Sequence, residues 1–293
     1  MRLIVLLILG FVQTAAGQGL NVQVVSKKVE KTFSYQPGLE VHIEGEKAEI
    51  TVETWKKNEI KVTLELISKH PQKKTAESDL EFINYIMEKN GARVLLRNFI
   101  NAGSKPKSEL KAKYLVVVPE NCPVEMTNYF GKTHLSDLNG GLTVNSQFSP
   151  VTMQNLRGNV NVNSKFGDIF GERINGRVKI ESQRSDVTLK EIAGAFNISS
   201  KYGVVKIFAD KSLVDLDIDA QKSDVYLFNS EPSKFGYELV AHFGKITSPE
   251  DLKLNFIENT DKFRHAVFQP GNTQASVSVR ITYGDIVIKN SKP

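Results

Sequence analysis

Residues 156–203 read LRGNVNVNSKFGDIFGERINGRVKIESQRSDVTLKEIAGAFNISSKYG, and within them a glycine or serine returns at every ninth position: Gly158, Gly167, Gly176, Ser185, Gly194 and Gly203. The series runs back through Ser149 and Gly140 to Gly131. After each small residue, the second and fourth positions are almost always apolar, as in Val160 and Val162, Val178 and Ile180, or Phe196 and Ile198. Small residues at a fixed interval mark places where the chain bends or backbones approach closely, and the alternation between them has the period of a half-buried strand. A period of this kind is the signature of a solenoid.

Alternate nonapeptides resemble each other more than neighbours do. One class carries Leu138, Leu156, Ile174 and Ile192 two residues before its glycine. The other carries Phe130, Phe148, Phe166, Arg184 and Tyr202 directly before its glycine or serine. Serines also recur every 18 residues, at Ser146, Ser164, Ser182 and Ser200. Like residues pile up in this way when residue i touches i+18 in the next coil of a parallel stack. The expected fold is therefore all-β, a parallel β-helix or β-solenoid with coils of about 18 residues, two nonapeptides each.

Outward from the repeats, residues 1–17 combine Arg2, the apolar run Leu3–Val12 and the small residues Ala15, Ala16 and Gly17, the pattern of a secretory signal peptide. Residues 18–120 read as a β-rich N-terminal part of the solenoid, with a helix and hairpin insertion over 68–110. Thr75 is the expected cap of a short helix reaching Phe82, and Asn90-Gly91 the turn of the hairpin. Residues 121–293 form the repeat region, where the corner returns in looser form at Lys222-Ser223-Asp224, Phe243-Gly244-Lys245 and Tyr283-Gly284-Asp285. The stretch from Phe256 to Gly271 reads as an extended coil or a capping loop over the end of the stack, where a terminal coil must hide an edge that would otherwise pair with another chain.

The net charge of +5 is thinly spread, and nothing in the chain resembles a nucleic-acid module. No second apolar run approaches the length of a membrane span. Cys122, the only cysteine, cannot form an internal disulfide and reads as a small buried apolar residue. Trp55 reads as an anchor at the edge of the core. His134, His242 and His265 lack ligand spacing, and most turns lack the acid of a calcium-binding nonapeptide, so neither a metal nor a cofactor is expected. Asp168 and Asp186 follow corner residues 18 apart, and a carboxylate pair on a β-helix can hydrolyse glycosides. The competing reading has each aspartate bonded to its own turn backbone. The Phe130, Phe148, Phe166 file reads as an internal stack that fixes register, the alternative being an outward platform for sugars.

Tyr114-Leu-Val-Val-Val-Pro119, Asn128-Tyr-Phe-Gly131, the corners Phe166–Ile169 and Tyr283–Ile286, and Leu156–Val160 together resemble the bacterial exported β-solenoid domains labelled putative adhesins, a domain of unknown function common in Bacteroidetes. The resemblance runs from about residue 30 to the end. It implies a β-solenoid without established catalytic residues, and a link, for some members, to cell-envelope stress systems. The expectation is a non-enzymatic protein, periplasmic or extracellular, whose solenoid surface binds a cell-envelope glycan or protein. The alternatives are a structural or regulatory component of an envelope-stress system, and a carbohydrate-active enzyme using Asp168 and Asp186.

Overall fold

The computed structural model describes residues 22–101, 103, 105–271 and 275–290, so the proposed signal peptide lies outside the described residues. Contacts divide the chain into two compact units, up to Leu135 and from Ser136. The solenoid class read from the repeats is the fold of the protein: both units are built on parallel strand pairing, with side chains alternating between a buried and an outward row.

In the first unit the strands are β1 (Gln23–Ser34), β2 (Glu40–Glu46), β3 (Ala48–Trp55), β4 (Glu59–His70), β5 (Ile83–Asn90), β6 (Arg93–Ile100), β7 (Glu109–Pro119), β8 (Val124–Tyr129) and β9 (Lys132–Ser136), with helix α1 (Lys73–Leu80) after β4. The period-2 rows Val41, Ile43 and Ile50, Val52 are fully buried, which holds β2 and β3 against the core. β2 pairs in parallel with both β6 and β8, and β3 with both β7 and β9. The coil made by residues 40–55 thus lies between two coils made much later in the chain. Beyond them the pairing turns antiparallel: β5 on β6, β4 on β7, and β1 on β4.

Residues 68–110 contain helix α1 and the antiparallel β5–β6 hairpin. Helix α1 starts after Gln72, and Thr75, inside it, donates its hydroxyl to Gln72 Oε1 at 3.2 Å. Asn90 pairs with Arg93, so Gly91-Ala92 makes the turn, and Gly91 has the φ of +58° that the turn requires. The buried Asp79 accepts the backbone N–H groups of Lys107 and Ser108 at 2.8 and 2.7 Å, tying the following loop to the helix.

The second unit contains β10 (Leu142–Gln147), β11 (Val151–Lys165), β12 (Ile169–Gln183), β13 (Val187–Lys201), β14 (Val204–Gln221), β15 (Asp224–Asn229), β16 (Phe235–His242), β17 (Ile246–Thr247), β18 (Asn255–Asn259), β19 (Phe263–Phe268), β20 (Ala275–Thr282) and β21 (Ile286–Asn290). The 18-residue register holds: Ser146 lies beside Ser164, Ser164 beside Ser182, and Ser182 beside Ser200, all buried. Between β13 and β14 the register shifts, Gly194 facing Leu213, and the coil grows so that Val205 faces Val225, 20 residues on.

Each regular coil bends three times, where the nonapeptide reading expects two corners. One bend is the glycine column, Gly158, Gly176 and Gly194, at φ +90°, +156° and +93°. At the start of the series the positive φ belongs to Gly141 and not to Gly140. The second bend is formed by Asp137, Asn155, Arg173 and Glu191, all left-handed. The third carries Phe148, Phe166, Arg184 and Tyr202, left-handed at φ between +52° and +59°, each followed by Ser149, Gly167, Ser185 or Gly203.

The spatial order of the last coils also departs from chain order. β20 lies in parallel between β14 and β16, and β21 between β15 and β17. Between Phe256 and Gly271 the pairing turns antiparallel: β19 pairs with β16, and β18 with β19.

A Cβ added to Gly167 would strike the carbonyl of Ser149, and one added to Gly176 the carbonyl of Gly158. Gly167→Ala and Gly176→Ala should each cost about 2–3 kcal/mol through backbone displacement. Gly271→Ala, with open space around the new methyl, should stay within about 0.5 kcal/mol of the parent. Urea denaturation midpoints check this; equal stability of all three variants would contradict the close approach.

Candidate functional site

The third bend generates the most distinctive surface of the second unit. In spatial order its left-handed residues are Phe148, Phe166, Arg184, Tyr202, Lys222, Tyr283 and Phe243. The backbone N–H of each of the first six donates to the carbonyl of the residue just before the next one, from Phe148 onto Lys165 at 2.9 Å to Tyr283 onto His242 at 2.9 Å. A left-handed non-glycine residue costs about 1–2 kcal/mol. That cost is offset by a hydrogen bond of about 1 kcal/mol and by ring stacking of about 0.5–1.5 kcal/mol per pair.

Stacking runs from Phe148 to Lys222 and again between Tyr283 and Phe243. Phe148 and Phe166 lie 4.7 Å apart at 8°, and Tyr283 and Phe243 5.0 Å apart at 10°. Between these pairs, the Arg184 guanidinium lies 5.4 Å from the Phe166 ring and 5.8 Å from Tyr202, and Lys222 Nζ lies 5.2 Å from Tyr202. The expectation of an internal stack is overturned, because Phe148, Phe166 and Tyr202 are 42%, 39% and 46% exposed. Strand alternation places Val160, Val162 and Ser164 inside and would put Phe166 inside as well. The left-handed bend at Phe166 breaks that alternation, turning the ring out and Gly167 in. In the first unit Phe130 adopts the same conformation at φ +57° and is 58% exposed, and a Cβ on Gly131 would strike the backbone of Ala48.

Glycine and serine alternate behind this file. Gly167 N–H donates to Ser185 Oγ at 3.1 Å, and Gly203 N–H to Ser223 Oγ at 3.2 Å. The serine hydroxyls donate in turn to the carbonyls of Gln183 and Gln221.

Asp168 and Asp186 occupy the far flank of the same bend. Each carboxylate is tied to the following coil and not to its own turn: Asp168 Oδ1 accepts the Asp186 N–H at 2.9 Å, and Asp186 Oδ1 accepts the Val204 N–H at 2.8 Å. Asp224 and Asp285 repeat the bond, accepting the N–H groups of Asp285 and Lys245 at 2.9 and 2.7 Å. A carboxylate that accepts a backbone N–H at this spacing joins one coil to the next.

A second aromatic and cationic stack, on a strand face of this unit, escapes the sequence reading. Phe208 and Phe228 lie 4.3 Å apart, with Lys190 over the Phe208 ring and Lys289 over that of Phe228. The only signal for it was the spacing of 18 and then 20 between Lys190, Phe208 and Phe228, half-hidden by the change in coil length. Elsewhere, Trp55 ends β3 and donates its indole N–H to the Glu59 carbonyl at 2.7 Å. Cys122 is fully buried, its Sγ 3.7 Å from the Leu39 carbonyl. Burial, reinforced by the negative charge of Glu40, pushes its thiol up to about 12. Among the described residues no group of three or more His, Cys, Asp or Glu side chains is placed to hold a metal ion, and no helix is long and apolar enough to cross a membrane.

Two outcomes follow from these contacts. Asp168→Ala and Asp186→Ala should each lower stability by about 1 kcal/mol, while Asn at either position, whose amide oxygen still accepts the N–H, should cost less than half of that. Thermal unfolding distinguishes them, and equal losses for Ala and Asn would contradict the coil-to-coil role. Iodoacetamide at pH 8 should leave Cys122 unmodified in the folded protein and alkylate it after denaturation. Mass spectrometry of the intact chain reads the difference, and rapid native labelling would refute the buried, protonated thiol.

Nothing among curated proteins matches the chain. Solved structures do. It is similar to a putative adhesin from Parabacteroides merdae, at 11% identity and a TM-score of 0.52, over 91% of this chain and 96% of that one. It is also similar to a putative adhesin from Bacteroides fragilis, at 12% identity and a TM-score of 0.49, over 90% and 97%. At 11% identity the likeness to the Parabacteroides merdae structure speaks for the fold alone. The family model described as Toastrack DUF4097 matches residues 38–289, which takes in the coils of both units and the exposed corner: the chain belongs to this Toastrack family.

Proposed function

We propose that this is an exported, non-enzymatic binding module that acts at the cell envelope, periplasmic or extracellular, and engages an envelope glycan or protein through its solenoid surface. The observation that carries the reading is the exposed file of Phe148, Phe166, Arg184, Tyr202, Lys222, Tyr283 and Phe243. Large side chains stand there in a conformation that costs energy and that glycine or asparagine would adopt more easily. A rigid row of rings and cations on rigid strands is a surface whose geometry does not need to be ordered on binding. The adhesin names of similar proteins support a binding role. The commitment of one oxygen each of Asp168 and Asp186 to backbone N–H groups supports a structural over a hydrolytic role for that pair.

The test is cosedimentation of the purified chain with bacterial cell-envelope fragments. The parent protein should pellet with them, and Phe166→Ser combined with Tyr202→Ser should weaken the association about tenfold, by analogy with loss of aromatic anchors at interfaces. Thr152→Ala, on a strand face away from the corner, should pellet like the parent. The urea midpoint of each variant separates lost binding from lost folding. Failure of the parent to pellet, or equal pelleting of the corner variant, would overturn the reading.

A further inference from the structure

We infer that this corner takes a linear acidic polysaccharide, laid along the coils from Lys165 to Lys222 with one acidic sugar per coil. The inference rests on the reading of the corner as a binding surface and adds the chemistry of what is bound.

Over four successive coils the residue pairs at the bend are Lys165-Phe166, Gln183-Arg184, Lys201-Tyr202 and Gln221-Lys222. Each pair holds one cation, placed alternately just before the bend and on it. The strand register sets Lys165 beside Gln183, Gln183 beside Lys201, and Lys201 beside Gln221. One positive charge therefore recurs per strand spacing, about 4.8 Å. All four cations are exposed, and among the described residues none is ion-paired to a carboxylate. The acids nearby are otherwise engaged or lie to one side. Asp168 and Asp186 stand on the far flank and accept backbone N–H groups, and Glu181 is paired with Lys179 at 2.7 Å. β14 turns three acids outward on the last of the four coils, Asp215, Asp217 and Asp219, and of these Asp217 lies 3.8 Å from Arg280 and accepts the Asn197 amide at 3.1 Å.

A row of this kind fits a polymer whose charge repeats at nearly the same interval, and an extended pyranose chain with one carboxylate per sugar has such a repeat. The rings face the ligand with their rims, which carry partial positive charge and an apolar surface for sugar C–H groups. Gln183 and Gln221 supply hydroxyl partners between the cations. Single-stranded nucleic acid binds by stacking bases on open ring faces. Here the faces are occupied by the neighbouring ring or cation. Each exposed ion pair adds at most about fivefold in affinity, so a single sugar binds weakly and a chain in register binds by the product of several such contacts.

The experiment is calorimetric titration of the full chain with oligogalacturonates of increasing length, alongside oligomannuronate and oligoguluronate. Affinity for at least one of the three should rise with length up to about four sugars and then level. It should fall about tenfold between low and moderate salt. Lys165→Gln with Lys201→Gln should weaken the four-sugar ligand about tenfold. Neither lysine lies over a ring of the file, so the stack is retained. Absence of binding by all three uronates at low salt, or affinity independent of length, overturns the proposal. If a methyl-esterified, uncharged oligomer binds as tightly and Phe166→Ser/Tyr202→Ser abolishes both, the acidic assignment fails while the corner stands as a binding surface. If neither the lysine nor the ring variants alter uronate binding, the corner itself is not the site.

Discussion

The structure depends on how closely the backbones of successive coils approach at the aromatic bend. At Gly167, Gly203 and Gly284 the space a Cβ would fill is taken by the carbonyl of the coil before, Ser149, Ser185 and Ser223 respectively. The serine of the coil after receives the glycine N–H at Gly167 and Gly203. A glycine can therefore lie on a serine and a serine on a glycine, and the alternation of the two sets the vertical registration of everything else. Buried columns such as Val160 beside Val178 follow from that registration, as do the aspartates that reach the next coil and the outward file of rings. The exposed file is in this sense a by-product of core geometry: the bend that allows close approach is also what turns Phe166 outward.

A stack of parallel strands leaves an unpaired edge at each end, and such edges recruit other chains. Each unit meets the problem in the same manner. In the first, antiparallel β5, β4 and β1 cover the outermost parallel coil, and in the second β19 and β18 do so. Both units also place a coil out of chain order, residues 40–55 in one and 275–290 in the other, in the interior of the stack. The strands left at the rim of the second unit are short, and β18 is exposed along its whole length.

Much of this was legible in one sequence because side chains that stack on copies of themselves leave a period. Ser146, Ser164, Ser182 and Ser200 announce both the coil length and the parallel pairing. The direction of the phenylalanine column was not legible, since period-2 counting carries Phe166 inward and only the backbone conformation at that residue reverses it. Glu191 and Arg173 hide the second bend in a similar way. Asp137 and Asn155 are residue types that tolerate a left-handed backbone, but Arg and Glu above them are not. The spatial order of coils left no trace at all, because Asp215 and its neighbour Ser276 are 61 positions apart and no local pattern records which strand will lie beside which. The role of Asp168 was half legible: a backbone N–H was the right kind of partner, but it belongs to the coil above.

The placement of residues 275–290 between two coils synthesised earlier has a temporal corollary. While a nascent chain is being made, β14 and β16 exist before the strand that separates them. A gap one strand wide must then stay open, or close wrongly by direct pairing of those two. Growth by simple addition from the first coil upward, natural for a solenoid, cannot finish here. The unit becomes cooperative only when the late strands arrive, so partial chains are held short of the native state and the assembled one resists peeling from its end.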